Sequence, residues 1–158
     1  MTGMNQTVRA RYGLIIPSSN RMAEPHAFAY TPQGVVPHTN RLRMTGPHAM
    51  STADLLPKVR EAAAMLADAK CDPIVFHCTA NSMAGGQDGE AAITAAIEEA
   101  TGKKAVTTAS AALAALQALG TQSISLVSPY QRKSHEHEIE FLHHAGIEVV
   151  AEHNLDLD

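Results

Sequence analysis

The sequence predicts an α/β fold, a parallel sheet with helices on both faces. Two observations predict it. Short apolar runs that read as strands alternate with longer segments of helical spacing from Tyr12 to His153, and glycines at 102, 120 and 146 close the helical segments. Such alternation with short connections argues for right-handed crossover units, whose parallel strands are buried between helical layers.

Each element follows in order. "YGLII" (12–16) is a buried strand ended by Pro17 and two serines. "VVPHTNRLRM" (35–44) is interrupted by Pro37, which removes a ladder donor, so a weak or edge strand is expected. Ser51 and Asp54 have the spacing of a capping box, and Leu55, Val59, Ala62 and Leu66 then share one face of a helix over about 52–69. Pro57 fits that helix if it lies in the first turn. "DPIVFH" is a strand, "DGEAAITAAIEEATG" a helix, "KAVTT" a strand and "SAALAALQALG" a helix. "QSISLVSPY" is a strand, "KSHEHEIEFLHHAG" a helix and "IEVVAEH" a strand.

Composition narrows the function. A chain of 158 residues with 45% hydrophobic and 18% charged residues suits a globular protein of one domain's size. The net charge of −4 and scattered Lys and Arg leave no basic stripe for nucleic acid. "AVTTASAALAALQALG" is too short and polar to span a bilayer, so no membrane partner is expected. The polar N-terminus, "MTGMNQTVRARYG", lacks the apolar segment of a secretory signal, which points to a cytoplasmic protein. Two cysteines, Cys71 and Cys78, make no disulfide framework.

In open parallel sheets, ligands bind beyond the carboxyl ends of the strands. Three loops qualify: "PSSN" (17–20), "CTANSMAGG" (78–86) and "SPY" (128–130). Cys78 heads the second, where nearby amide dipoles would lower a thiol pKa; the same position equally suits a small residue closing a core strand. Cys71 reads as structural. Ser18, Ser19 and Asn20 are uncharged groups suited to a carboxylate, or else helix caps. Tyr130 offers a phenol, or packing. The histidines of "SHEHEIEFLHH" lack metal-ligand spacing and read as a solvated helix face. "MAGGQDG" lacks the Lys-Ser/Thr ending of a phosphate loop, which disfavours nucleotides. "GLIIPSSN" and "ISLVSPYQ" echo one another, each running from strand through a Ser/Pro turn toward a helix.

Together "GLIIPSSN", "IVFHCTANS" and "ISLVSPY" resemble the maleate isomerase and arylmalonate decarboxylase branch of the aspartate/glutamate racemase superfamily. The resemblance implies two Rossmann-like α/β lobes in pseudo-twofold relation, with an active site between them. Residues 1–110 would form the first lobe, and 111–158 a bridging helix and the beginning of a second, pseudo-symmetric lobe. It implies a small dicarboxylate or carboxylic-acid substrate and no cofactor or metal. Cys78 and Tyr130 take the catalytic positions, and Asn20, Ser18, Ser19, Thr79, Ala80 and Asn81 line the carboxylate. In the isomerase version a thiolate adds to the alkene carbon of maleate, the single bond rotates, and elimination gives fumarate. Racemases use two thiols as base and acid, and the decarboxylases lack the first-lobe cysteine. No Cys follows Cys78 here, so the second catalytic thiol is absent and the second lobe is expected to be incomplete. Apolar surface left open on such a lobe would favour a homo-oligomer.

Overall fold

The structure is a computed structural model that describes residues 7–44 and 50–157; the first six residues of the polar N-terminal segment lie outside the described residues. β1 (Ala10–Pro17) leads through a turn to α1 (Ala23–Tyr30) and then to β2 (Val35–Leu42). α2 (Thr52–Asp68), β3 (Ile74–Phe76), α3 (Thr79–Met83), α4 (Gly86–Thr101) and β4 (Ala105–Thr107) follow. Then come α5 (Thr108–Ala118), β5 (Ser123–Ser128), α6 (Arg132–His144) and β6 (Glu148–Asn154).

Four strands form one sheet in the order β2-β1-β3-β4, and β5 pairs with β6 in a second; all pairings are parallel. The expected α/β class is therefore the observed one, and β2 is an edge strand, as Pro37 requires. The echo between the two Ser/Pro turns is visible as β1-α1-β2 and β5-α6-β6, each a strand, turn, helix and parallel strand.

Consecutive residues of β1 serve opposite faces, as strand geometry demands. Ile15 joins Leu55, Val59 and Leu66 of α2, Ile74 and Phe76 of β3, and Ile93 and Ile97 of α4 in the main core. Leu14 and Ile16 face the other way, against Ala23 of α1. α2 lies close on the sheet because Gly13 has no side chain; a Cβ there would stand 2.9 Å from Leu66 Cδ1. α4 ends where Gly102 turns left-handed at φ 63°, the conformation that closes a helix most readily with glycine.

Three local expectations are corrected. Pro57 is not in the first turn of α2 but is its sixth residue. The helix accommodates it because both Pro57 and Ala53, whose carbonyl loses its donor, are exposed to water. The start of the segment expected as the loop "CTANSMAGG" is helical: α3 is five residues long, too short for a helical period to show in sequence. The third correction concerns "SHEHEIEFLHH", which is not simply a solvated face. His143 and His144 are exposed, but His135 is 0% and Glu138 4% exposed, alongside Phe141 and Leu142. Burial of polar groups requires partners, and His135 has them on both ring nitrogens.

Candidate active site

The carboxyl ends of β1, β3 and β5 converge on one cleft of about 180 Å³, lined among others by Ser19, Asn20, Cys78, Thr79, Asn81 and Tyr130. That is below the roughly 300–1,000 Å³ of pockets for drug-sized ligands and suits a molecule of a few heavy atoms. The floor is set by the strands. Register pairs Ile15 of β1 with Phe76 of β3, so the turns after Pro17 and after His77 leave the sheet side by side. Tyr130 reaches the cleft from the turn after β5, and its neighbours there include Thr79 and Cys78.

Cys78 is the N-cap residue of α3 and is partly buried. Asn81, three residues on, donates from Nδ2 to Sγ at 3.3 Å, while its Oδ1 accepts the Met50 N–H at 2.8 Å. The expected lowering of the thiol pKa is not the net result. Burial pushes it up, and the hydrogen bonds from the Asn81 side chain and backbone only oppose that rise. A helix of five residues presents too small a dipole to reverse the balance. The resting group is a thiol with a built-in donor for the thiolate. Cys71 is 0% exposed in the main core and its pKa is also raised, chiefly by burial.

The remaining sequence-derived site residues divide. Asn20 lines the cleft, and its Oδ1 also accepts the backbone N–H groups of Met22 and Ala23, each at 2.9 Å. Its capping of the turn into α1 is therefore observed, and its side chain borders the cleft as well. Thr79 and Ala80 line the cleft at the start of α3. Ser19 lines it too, with its hydroxyl donating to Met44 O at 3.3 Å. Ser18 does not belong with them. Its hydroxyl donates to Met44 O at 3.4 Å and accepts from Met44 N at 3.3 Å, and its own N–H donates to Leu42 O, so it ties the β1 turn to the end of β2.

Sequence reasoning passed over His77, Met44 and Pro17, which also line the cleft. His77 was findable as the residue beside Cys78. It also borders an adjoining cavity of about 250 Å³ with Asn20, His26 and Tyr12. Burial and then the neighbouring His26 push its pKa down, so it is neutral at physiological pH. Among the described residues, no group of three or more His, Cys, Asp or Glu could hold a metal ion, and no helix is long and apolar enough to cross a membrane.

The site thus sets a cysteine, just past the end of a central strand, beside neutral hydrogen-bonding side chains on a parallel α/β scaffold. The family model described as arylmalonate decarboxylase matches residues 12–158, and the chain belongs to that family. It is 29% identical to a maleate isomerase of Geobacillus stearothermophilus over 164 residues, covering 93% of this chain and 64% of the relative. A variant of Nocardia farcinica maleate cis-trans isomerase with a covalently bound succinylcysteine intermediate superposes with a TM-score of 0.84 at 25% identity, over 94% of this chain and 64% of that one. A liganded double variant of arylmalonate decarboxylase shares the fold with a TM-score of 0.76 at 24% identity, over 94% and 63% of the two chains. The chain thus spans just under two thirds of the length of these relatives.

Proposed function

We propose that this chain carries the Cys78-bearing part of a cofactor-independent isomerase site acting on a small dicarboxylate such as maleate. The observation that supports it best is the meeting of Cys78, Asn20 and Tyr130, from three separate strand ends, around one small cleft. In this reading Sγ of Cys78 gives up its proton and adds to an alkene carbon, the former double bond rotates as a single bond, and the C–S bond breaks to release the trans acid. Asn81 supports the thiolate by hydrogen bonding to Sγ. Asn20, Ser19 and the start of α3 receive the carboxylates, and Tyr130 donates to the oxyanion that forms on the carboxylate next to the reacting carbon. The division of the chain near residue 110 into a first lobe and a second that supplies Tyr130 is part of this proposal.

Competitive alkylation tests it. With iodoacetamide at neutral pH, Cys78 is expected to react much faster than the fully buried Cys71, and maleate or malonate is expected to slow Cys78 alone. Because burial raises the thiol pKa, the rate at Cys78 should climb with pH above neutrality, and Asn81→Ala should lower it at pH 7 by removing the donor to Sγ. Equal, slow labelling of both cysteines, unaffected by either acid, would refute the reading.

A second reading is carbon-acid chemistry of the racemase or decarboxylase kind. Membership of a family described as arylmalonate decarboxylase favours it. Protection of Cys78 by an arylmalonate and not by maleate would select it.

A further inference from the structure

Arg41 of β2 reaches the turn that carries Asn20. Strand alternation sets its direction. Leu42 joins the core under α2, so Arg41 and Ile16, its partner in register on β1, face the α1 side of the sheet. There Nη1, which carries two hydrogens, donates to two main-chain carbonyls, Ser18 O at 3.0 Å and Asn20 O at 2.9 Å. Nη2 pairs with Oε2 of Glu24 in the first turn of α1. Neither carbonyl receives a backbone N–H among the described residues, so the guanidinium supplies donors that the turn itself lacks.

The same turn is held from its other sides. Ser18 N donates to Leu42 O at 2.7 Å, and the Ser18 hydroxyl is tied to Met44. Asn20 N donates to Pro17 O at 3.0 Å, and Asn20 Oδ1 caps the entry to α1. These contacts engage the N–H, the carbonyl and Oδ1 of Asn20, and leave its Nδ2 for whatever enters the cleft that the residue lines. Arg41 itself is not among the described residues that line the cleft.

We infer that Arg41 is a positioning residue for acid binding: it fixes the 17–20 turn so that Nδ2 of Asn20 is oriented toward a carboxylate before the ligand arrives. A turn already ordered costs a ligand less to bind than one the ligand must order. A cation can also help an acid through its field, but the Glu24 carboxylate at its side offsets that charge. The inference rests on the reading of Asn20 as a carboxylate contact.

Arg41→Met keeps the reach of the side chain and removes its donors. Iodoacetamide is expected to label Cys78 of this variant at the wild-type rate, while the maleate concentration that halves the rate rises several-fold. The ratio of the two half-protecting concentrations should survive high salt, because salt screens a field and not the position of a turn. The side-chain amide signal of Asn20, identified by its loss in Asn20→Ser, should move in Arg41→Met with no ligand present. In wild type, nitrogen NMR should show slow rotation of the Arg41 guanidinium. Equal half-protecting concentrations in the two proteins would overturn the proposal, as would a ratio that falls to one in high salt. An unprotected rate that changes as much as the protection does would overturn it too, since that marks general damage to the site. So would a freely rotating guanidinium in wild type, a measurement that needs no variant to fold. If maleate protects Cys78 in neither protein, the proposed function fails and the Asn20 signal decides alone: moved, the positioning role stands; unmoved, it falls.

Discussion

The two sheets are held in different ways. The four-stranded sheet is sealed by apolar side chains on both faces, with Ile15, Ile74, Phe76, Ile93 and Ile97 fully buried between β1, β3, α2 and α4. The β5–β6 pair buries little of its own; Val127 and Val150 are 64% and 60% exposed, and the residues of β5 alternate between exposed and partly buried until Ser128. Beside the backbone pairing of β5 with β6 and the buried Leu142 and Ile147, a polar chain from Ser128 through His135 to Glu152 and Arg132 links β5, α6 and β6. Apolar burial is additive and insensitive to pH, whereas a buried polar chain is all or none and answers to protons. The scaffold under Cys78 is therefore the rigid side of the site, and the side that carries Tyr130 is the responsive one.

Five measurements break or sharpen that contrast. The largest effect is expected from Phe76→Ala, which empties the sealed core and should cost about 3–5 kcal/mol in denaturant melts. Next comes Glu138→Gln. Glu138 has a folded-state pKa raised to about 7 from an ordinary 4.5, so the folded chain holds a proton that the unfolded chain has released between those values. Stability is then lost as pH rises through that window, and the neutral glutamine should be more stable than wild type by about 1–3 kcal/mol at pH 8, with no advantage at pH 4. Equal stability of the two proteins at both pH values would erase the distinction between the sheets.

Leu126→Ala on β5 should cost about 1–2 kcal/mol, less than Phe76→Ala, because Leu126 is only partly buried. Hydrogen exchange should agree, with amides of β5 and β6 exchanging faster than those of β1 and β3. The smallest effect belongs to Arg132→Ala. Its bonds to Glu136 and Glu152 lie at the surface, where water screens such pairs, and high salt should shrink even that small effect.

The same contrast explains what could be read from the sequence. The sealed sheet announces itself in runs such as "YGLII" and "IVF" and in the spacing of Leu55, Val59, Ala62 and Leu66, because apolar burial leaves a periodic trace. The meeting of Cys78, Asn20 and Tyr130 at one cleft was legible because the loops beyond the carboxyl ends of parallel strands border a common crevice. α1 left no trace of its bounds, since Met22, Phe28 and Tyr30 are exposed and its apolar residues gather on no one side. His135 and Glu138 were misread because charge ordinarily means solvent, and only the fold reveals that both are buried. That Ser18 stands outside the cleft lining was hidden for a related reason, as nothing local shows that its hydroxyl is committed to Met44.

The two asparagines at the cleft share an arrangement that gives it a polarity. Each is anchored by its carbonyl oxygen to main-chain amides, Asn20 to Met22 and Ala23 and Asn81 to Met50. Only the amino end of each side chain remains uncommitted to backbone, and an amino end offers hydrogen and no lone pair. Those two amino ends can meet a lone pair, as that of Asn81 already does at the sulfur of Cys78.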